Sequence, residues 1–342
     1  MPELPEVETV RRGLSDLIVG RVIVDATSDT PKSFPNSPSD IEAFLLQASV
    51  TDVRRRAKVL LIDLSSGYTI VTHLKMTGQL VFVGRQRGVD NKVIDSVSAT
   101  SSEATLRATS SARGVRLALT GTSPSDIAAT ESASDAASNV RFGAGHPNDS
   151  LVNQLPDKST RVIITFSDDS HLYFNDQRKF GWMKLIPTLE VPNMAFMQKV
   201  GPEPLEADFT PEQFAARFTR RAGTSIKAAL LDQTVVAGVG NIYADESLWG
   251  AKIHPKRLVK TITPAEFALL YTELRSVMNL AIEKGGSTNQ NYVNAEGKRG
   301  SYMDFARVFR REGQACPRCG ATIIKFKAAG RGTHICPVCQ VL

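Results

Sequence analysis

The chain opens Met1-Pro2-Glu3-Leu4-Pro5-Glu6. A Met followed by a small residue is normally trimmed, so Pro2 is expected to begin the mature chain with a free secondary amine. An α-amino group has a pKa of about 7.7–8.0, well below the roughly 10.4 of a lysine. A neutral fraction therefore exists near pH 7, and a neutral amine attacks an electrophilic carbon to form an imine. Glu3 places a carboxyl one residue away. A nucleophile with an adjacent acid suits covalent catalysis on a sugar or carbonyl carbon. The plainer reading is an ordinary chain start, with two turn-forming prolines and solvated glutamates.

The second chemical constellation lies at the other end. Cys316-x2-Cys319, sixteen residues and Cys336-x2-Cys339 contain all four cysteines of the chain. The spacing is that of a zinc ribbon, with a redox pair as the alternative. Four thiolates would close the coordination sphere, so one Zn²⁺ here is expected to be structural. It would hold a small hairpin carrying Lys325, Lys327 and Arg331, which so short a segment cannot do by hydrophobic burial alone. A third cluster is Arg54-Arg55-Arg56-Ala57-Lys58. It reads either as a solvated edge strand or as cations that meet phosphates, with Lys58 pointing inward.

Elements must position these groups. Leu4, Val7, Val10, Leu14, Leu17 and Ile18 recur at helical spacing, which predicts an amphipathic helix over 4–19 ending at Gly20. Short β-type runs follow at 21–25, 59–64, 69–73 and 79–83, and again at 161–166 and 171–174. Residues 84–157 are rich in Ser, Thr and Ala, with seven Lys or Arg against eight acids. They read as a long loop insertion, with Val115–Leu119 as a conceivable extra strand. Prolines and glycines at 187–204 mark a linker. Helices are predicted at 211–219, 225–232, 241–250 and 264–284. The intervening Val236-Ala237-Gly238-Val239-Gly240-Asn241 lacks the third glycine of a dinucleotide fingerprint. It reads instead as a tight turn into a helix N-terminus, whose free N–H groups suit a phosphate.

The 342 residues allow two or more cores, and 42% hydrophobic with 22% charged residues is ordinary for a globular protein. No apolar stretch approaches a membrane span, and the charged N-terminus is not a secretory signal, so an intracellular location is expected. The net charge is +6. Ten Lys or Arg against three acids over 284–331 concentrate the excess near the C-terminus, which favours a polyanionic partner.

The opening Pro2-Glu3-Leu4-Pro5-Glu6-Val7-Glu8 and the terminal four-cysteine finger together resemble the formamidopyrimidine-DNA glycosylases. The resemblance implies an α+β multidomain protein. An N-terminal β-sandwich with an N-terminal helix would span 1–186, with 84–157 inserted, and a linker 187–208. A helix-two-turn-helix domain would span 209–298 and a zinc-finger hairpin 299–342. It implies a repair glycosylase for oxidised purines (8-oxoguanine, formamidopyrimidines) that also cuts the strand at abasic sites by β,δ-elimination. The partner would be double-stranded DNA, the protein a monomer, its place the cytoplasm or nucleoid. On the same resemblance Pro2 is the Schiff-base nucleophile, Glu3 the general acid, Lys58 the proton-transfer lysine and Arg331 the finger arginine linked to δ-elimination. Met76, Arg178 and Phe180 would fill the gap left by a flipped base, and Lys227 and Asn241 would grip a phosphate.

Two positions depart from the family pattern. Lys158-Ser159-Thr160-Arg161 stands where a DNA-contacting histidine is usual, which leaves Ser159 at the DNA with Arg161 as a compensating phosphate contact. Ala222 replaces a basic residue, with Arg220 and Arg221 adjacent. Two other readings stand beside the first. One is an oxidised-pyrimidine glycosylase of the endonuclease VIII type. The other is a non-catalytic, zinc-stapled DNA-binding protein. The loop around 288–302 is expected to shape the base pocket.

Overall fold

The computed structural model describes residues 2–85, 139–145, 154–287 and 301–342. The predicted run Val115–Leu119 and most of the loop 288–302 lie outside these residues.

Helix α1 (Leu4–Ile18) forms where the apolar spacing places it. The Glu3 amide donates to Glu6 Oε2 at 2.8 Å, satisfying an N–H that the first turn leaves free. Among the described residues nine antiparallel strands follow in two sheets. One has the order β1 (Ile23–Ser28), β7 (Thr160–Phe166), β8 (His171–Asp176), β5 (Gly78–Arg85), β6 (Asn139–Gly145). The other runs β2 (Val50–Arg56), β3 (Val59–Leu64), β4 (Tyr68–His73), β9 (Trp182–Pro187). Val162, Ile164 and Phe174 of the first sheet meet Leu60, Ile62 and Ile70 of the second in one core, closed by Val7, Val10 and Leu14 of α1. This is the expected sandwich. Strand β6 lies inside the stretch 84–157 that reads as a loop insertion, which corrects that reading at 139–145. Its Asn-Val-Arg-Phe-Gly-Ala-Gly sequence has too few alternating apolar residues to signal a strand. Pairing with β5, from Gln79↔Gly145 to Arg85↔Asn139, supplies the order.

The helical half contains α2 (Pro211–Phe218), α3 (Ile226–Leu231), α4 (Asn241–Gly250) and α5 (Pro264–Glu283). Thr210 and Thr263 cap α2 and α5 through the amides of Gln213 and Glu266, with proline in each first turn. A second core gathers Phe214, Phe218, Leu230, Tyr243, Leu248, Leu270 and Leu274, and Leu4 of α1 belongs to it. The N-terminal helix therefore enters both cores. The C-terminal hairpin pairs β10 (Ile324–Ala328) with β11 (Arg331–Ile335). Its small apolar cluster is Trp249, Val308, Ile323, Cys316 and Cys336. Among the described residues no helix is long and apolar enough to cross a membrane.

Candidate active site

The turn between the predicted helices builds the floor of the site. Gly238 has φ +77°, and its carbonyl accepts the Leu4 amide at 3.1 Å. A Cβ on Gly240 would lie 2.2 Å from Glu3 Cδ, so only glycine lets this carboxyl sit there. Glu3 Oε1 accepts the Ile242 amide of α4 at 3.1 Å. The N-terminus of α4 is thus partly taken by the chain's own carboxylate, where the sequence suggested a phosphate. Glu3 is only 3% exposed, and its Oε2 has no hydrogen-bond partner among the described residues. Burial, with a smaller push from Glu6, raises its pKa from 4.5 to about 7 against the pull of Lys58. A carboxyl so placed carries a proton near neutrality and can release it.

Lys58 reaches the same turn from the sandwich. It sits in the hairpin between β2 and β3, after Ala57 with φ +53°. Its Nζ donates to Val239 O at 2.8 Å, and burial lowers its pKa. The inward lysine matches one of the two sequence readings, whereas the arginines before it are each engaged in an ion pair. Arg54 pairs with Asp63, and Arg55 and Arg56 pair with Glu203 at 2.7 and 2.8 Å. Glu203 Oε1 also accepts the Ala57 amide at 2.6 Å. One carboxylate of the linker thus holds the turn that aims Lys58.

A cavity of about 690 Å³ opens over this floor, lined among others by Pro2, Glu3, Lys58, Met76, Asn241 and Arg331. Six residues nominated from sequence are therefore brought together from both halves and the hairpin. Asn241 reaches the hairpin by donating to Gly332 O at 3.0 Å. Met76 is 37% exposed and Phe180 46%, unusual for large apolar side chains that serve only as core. The Arg178 guanidinium lies 4.9 Å over the Phe180 ring. Neither Arg178 nor Phe180 lines the cavity itself.

Three nominated DNA contacts differ from expectation. Lys227 is fully buried, with Nζ on Asp245 Oδ1 at 2.6 Å and Thr333 Oγ1 at 2.7 Å. An ammonium without exposure cannot meet a phosphate directly, and here it braces the hairpin against α4. Ser159 is 3% exposed and donates to Asp157 Oδ1 at 2.7 Å. Arg161, offered as its compensation, spends its guanidinium on Asp29, Asp176 O and Lys158 O. Arg221 remains half-exposed, paired with Asp232.

Other residues went unnoticed in the sequence. His73 lines the cavity, and its pKa falls to about 3 through burial, with Lys75 and Lys58 adding to the effect. Its Nδ1 accepts the Lys75 amide at 3.1 Å, which puts the proton of the neutral ring on Nε2. Asp176 is 1% exposed and accepts the amides of Arg178, Phe180 and Gly181, along with the Thr77 hydroxyl. It ties the Met76 loop to the Arg178–Phe180 loop. Asp176 follows the predicted run 171–174, but alternation alone cannot tell a buried acceptor from a solvated acid.

The four cysteine sulfurs lie within 4.8 Å of one another, with Cys316–Cys339 at 4.0 Å and Cys319–Cys336 at 3.4 Å. Tetrahedral zinc with Zn–S of about 2.3 Å separates its sulfurs by about 3.8 Å. The donor set fits one structural Zn²⁺.

Comparison with known proteins follows the same division. Residues 1–183 match the model of the formamidopyrimidine-DNA glycosylase N-terminal domain, 200–293 its H2TH domain, and 313–341 the zinc finger found in FPG and IleRS. The formamidopyrimidine-DNA glycosylase of Pelotomaculum thermopropionicum is 36% identical over 342 residues, covering 99% of each chain. Among solved structures, Lactococcus lactis Fpg in complex with DNA containing an abasic site superposes with a TM-score of 0.74 at 30% identity, over 99% of this chain and all of that one. A variant of the L. lactis protein bound to DNA containing Fapy-dG gives 0.74 at 29%, over the whole of both.

Proposed function

The chain belongs to the formamidopyrimidine-DNA glycosylase family, and on that premise we propose how its cavity carries out the chemistry. It is a bifunctional DNA glycosylase and abasic-site lyase acting on double-stranded DNA with oxidised purines. The observation that carries the mechanism is Glu3, a buried carboxyl with pKa near 7 and one unpartnered oxygen, beside Pro2 on the cavity floor.

In this reading the damaged nucleotide leaves the stack and its sugar enters the cavity. Met76, Arg178 and Phe180 take its place in the duplex, an apolar wedge with a cation stacked on a ring. The Pro2 nitrogen forms a bond to C1′, the bond from C1′ to the base breaks, and Glu3 supplies the proton that opens the sugar ring. The resulting iminium acidifies C2′–H. Lys58, uncharged more readily for being buried, handles that proton as the 3′ phosphate leaves, and Arg331 assists departure of the second phosphate. Asn241, Arg331 and the His73 Nε2–H would hold the backbone, a sequence-independent and salt-sensitive grip. Lys227 would act behind them, by placing the hairpin. Zn²⁺ on Cys316, Cys319, Cys336 and Cys339 supplies structure only. Cytoplasmic, nucleoid-bound DNA is the proposed setting.

Borohydride reduction during turnover tests the scheme. An 8-oxoguanine duplex should give a covalent adduct mapped by mass spectrometry to Pro2, in a chain lacking Met1, and Pro2→Gly should lose most of it. Adduct with thymine-glycol duplex alone would favour the endonuclease VIII type. Tight binding without adduct would favour a non-catalytic role.

A further inference from the structure

The segment that leads into the zinc hairpin carries Arg307, Arg310 and Arg311 close together, and the structure treats them differently. Arg307 is spent on Glu273 Oε2 at 2.9 Å. Arg311 donates to Gln314 Oε1 at 3.0 Å and to Ala306 O at 3.2 Å. Arg310 has no hydrogen bond or ion pair for its guanidinium among the described residues. It is exposed and lines the cavity together with Arg331.

Its backbone is unusual too. Arg310 has φ +59°, the left-handed region that a side chain with a Cβ enters at a conformational cost. The surroundings impose it. Buried Glu246 accepts the amides of Arg307, Val308 and Phe309 at 2.8–2.9 Å, and so sets the course of the chain immediately before Arg310. The guanidinium then rests 5.8 Å over the Phe309 ring, within cation–π range. An unpaired cation is thus held by a rigid turn at the rim of the cavity, at a position where glycine would be easier to accommodate. We infer that Arg310 is an additional DNA-phosphate ligand of this chain, acting beside Arg331. The inference rests on the reading of the cavity as the DNA site.

The test exploits a separation between fold and binding. Arg310→Gly removes the cation and relieves the left-handed backbone, so its melting temperature should be no lower than that of the parent. Binding to a duplex bearing a tetrahydrofuran abasic-site analogue is titrated with salt for the parent, R310G and R310K. The logarithmic salt slope of R310G should be shallower by about 0.9, the share of one phosphate contact. Between about 50 and 200 mM salt its affinity should then fall about 3.5-fold less than that of the parent. R310K, which keeps the charge, should retain the parental slope. Parental binding with an unchanged slope in R310G would overturn the inference. A parent that does not bind the duplex would overturn the DNA reading as a whole, and the inference with it.

Discussion

Glu3 shows how one residue can weaken the fold and serve the chemistry. Its carboxyl has a folded pKa near 7 against 4.5 for the free group, because burial disfavours the charge. The folded state therefore holds this proton more tightly than the unfolded chain. The Glu3 contribution to stability is largest below about pH 4.5 and declines as the pH rises to about 7. Glu3→Gln, which stays neutral, should melt a few degrees above the parent at pH 8 and lose the advantage near pH 5. The parent's base-excision rate should also fall above about pH 7 as the acid is spent, and any residual rate of Glu3→Gln should lack that limb. A melting difference independent of pH would contradict the assignment. The pairing of an amine with an acid was legible in the sequence because Pro2 and Glu3 are adjacent in the chain. The neutral ring of His73 was not, since it depends first on burial, and then on Lys75 and Lys58, which only the folded chain supplies.

At the level of elements, periodicity in the sequence revealed the longer helices and most strands, while caps such as Thr263 on Glu266 came from the structure. Strand β6 was hidden because its order comes from β5 and not from its own residues. The buried polar ties were hidden for a similar reason. Glu203, Asp176 and Glu246 look like solvated acids until the amides they accept are seen. Lys227 is the sharpest case, since the family resemblance put it at a phosphate. Its ammonium instead joins α3 to Asp245 of α4 and Thr333 of β11 without exposure to solvent. Lys227→Met should leave Asp245 as an uncompensated buried charge and cost about 3–5 kcal/mol of stability by denaturant unfolding. The salt slope of DNA binding should stay parental at temperatures where the variant is folded. A shallower slope with unchanged stability would restore the phosphate role.

Across the whole molecule, three separately cored parts converge on one cavity, and the zinc hairpin depends most on help from outside. Among the described residues its buried apolar cluster has only Trp249, Val308 and Ile323 besides two cysteines, with Ala321 and Cys339 partly buried against it, too little to hold Arg331 without metal. Cys336→Ser should lower bound zinc, measured by atomic emission, from about one per chain toward none. DNA binding should be lost with it, while the melting transition of the β-sandwich persists in circular dichroism. Retained binding by the zinc-free variant would show that the hairpin folds on its own.

The site joins residues from the beginning, middle and end of the chain, and Leu4 packs in the helical core while Val7 packs in the sandwich. Glu3 and Lys58 thus meet their partners at Val239 and Ile242, and Arg331 across the cavity, only once these later parts of the chain have been made. A chain lacking its later part would carry Glu3 without the Ile242 amide and without the burial that holds its proton.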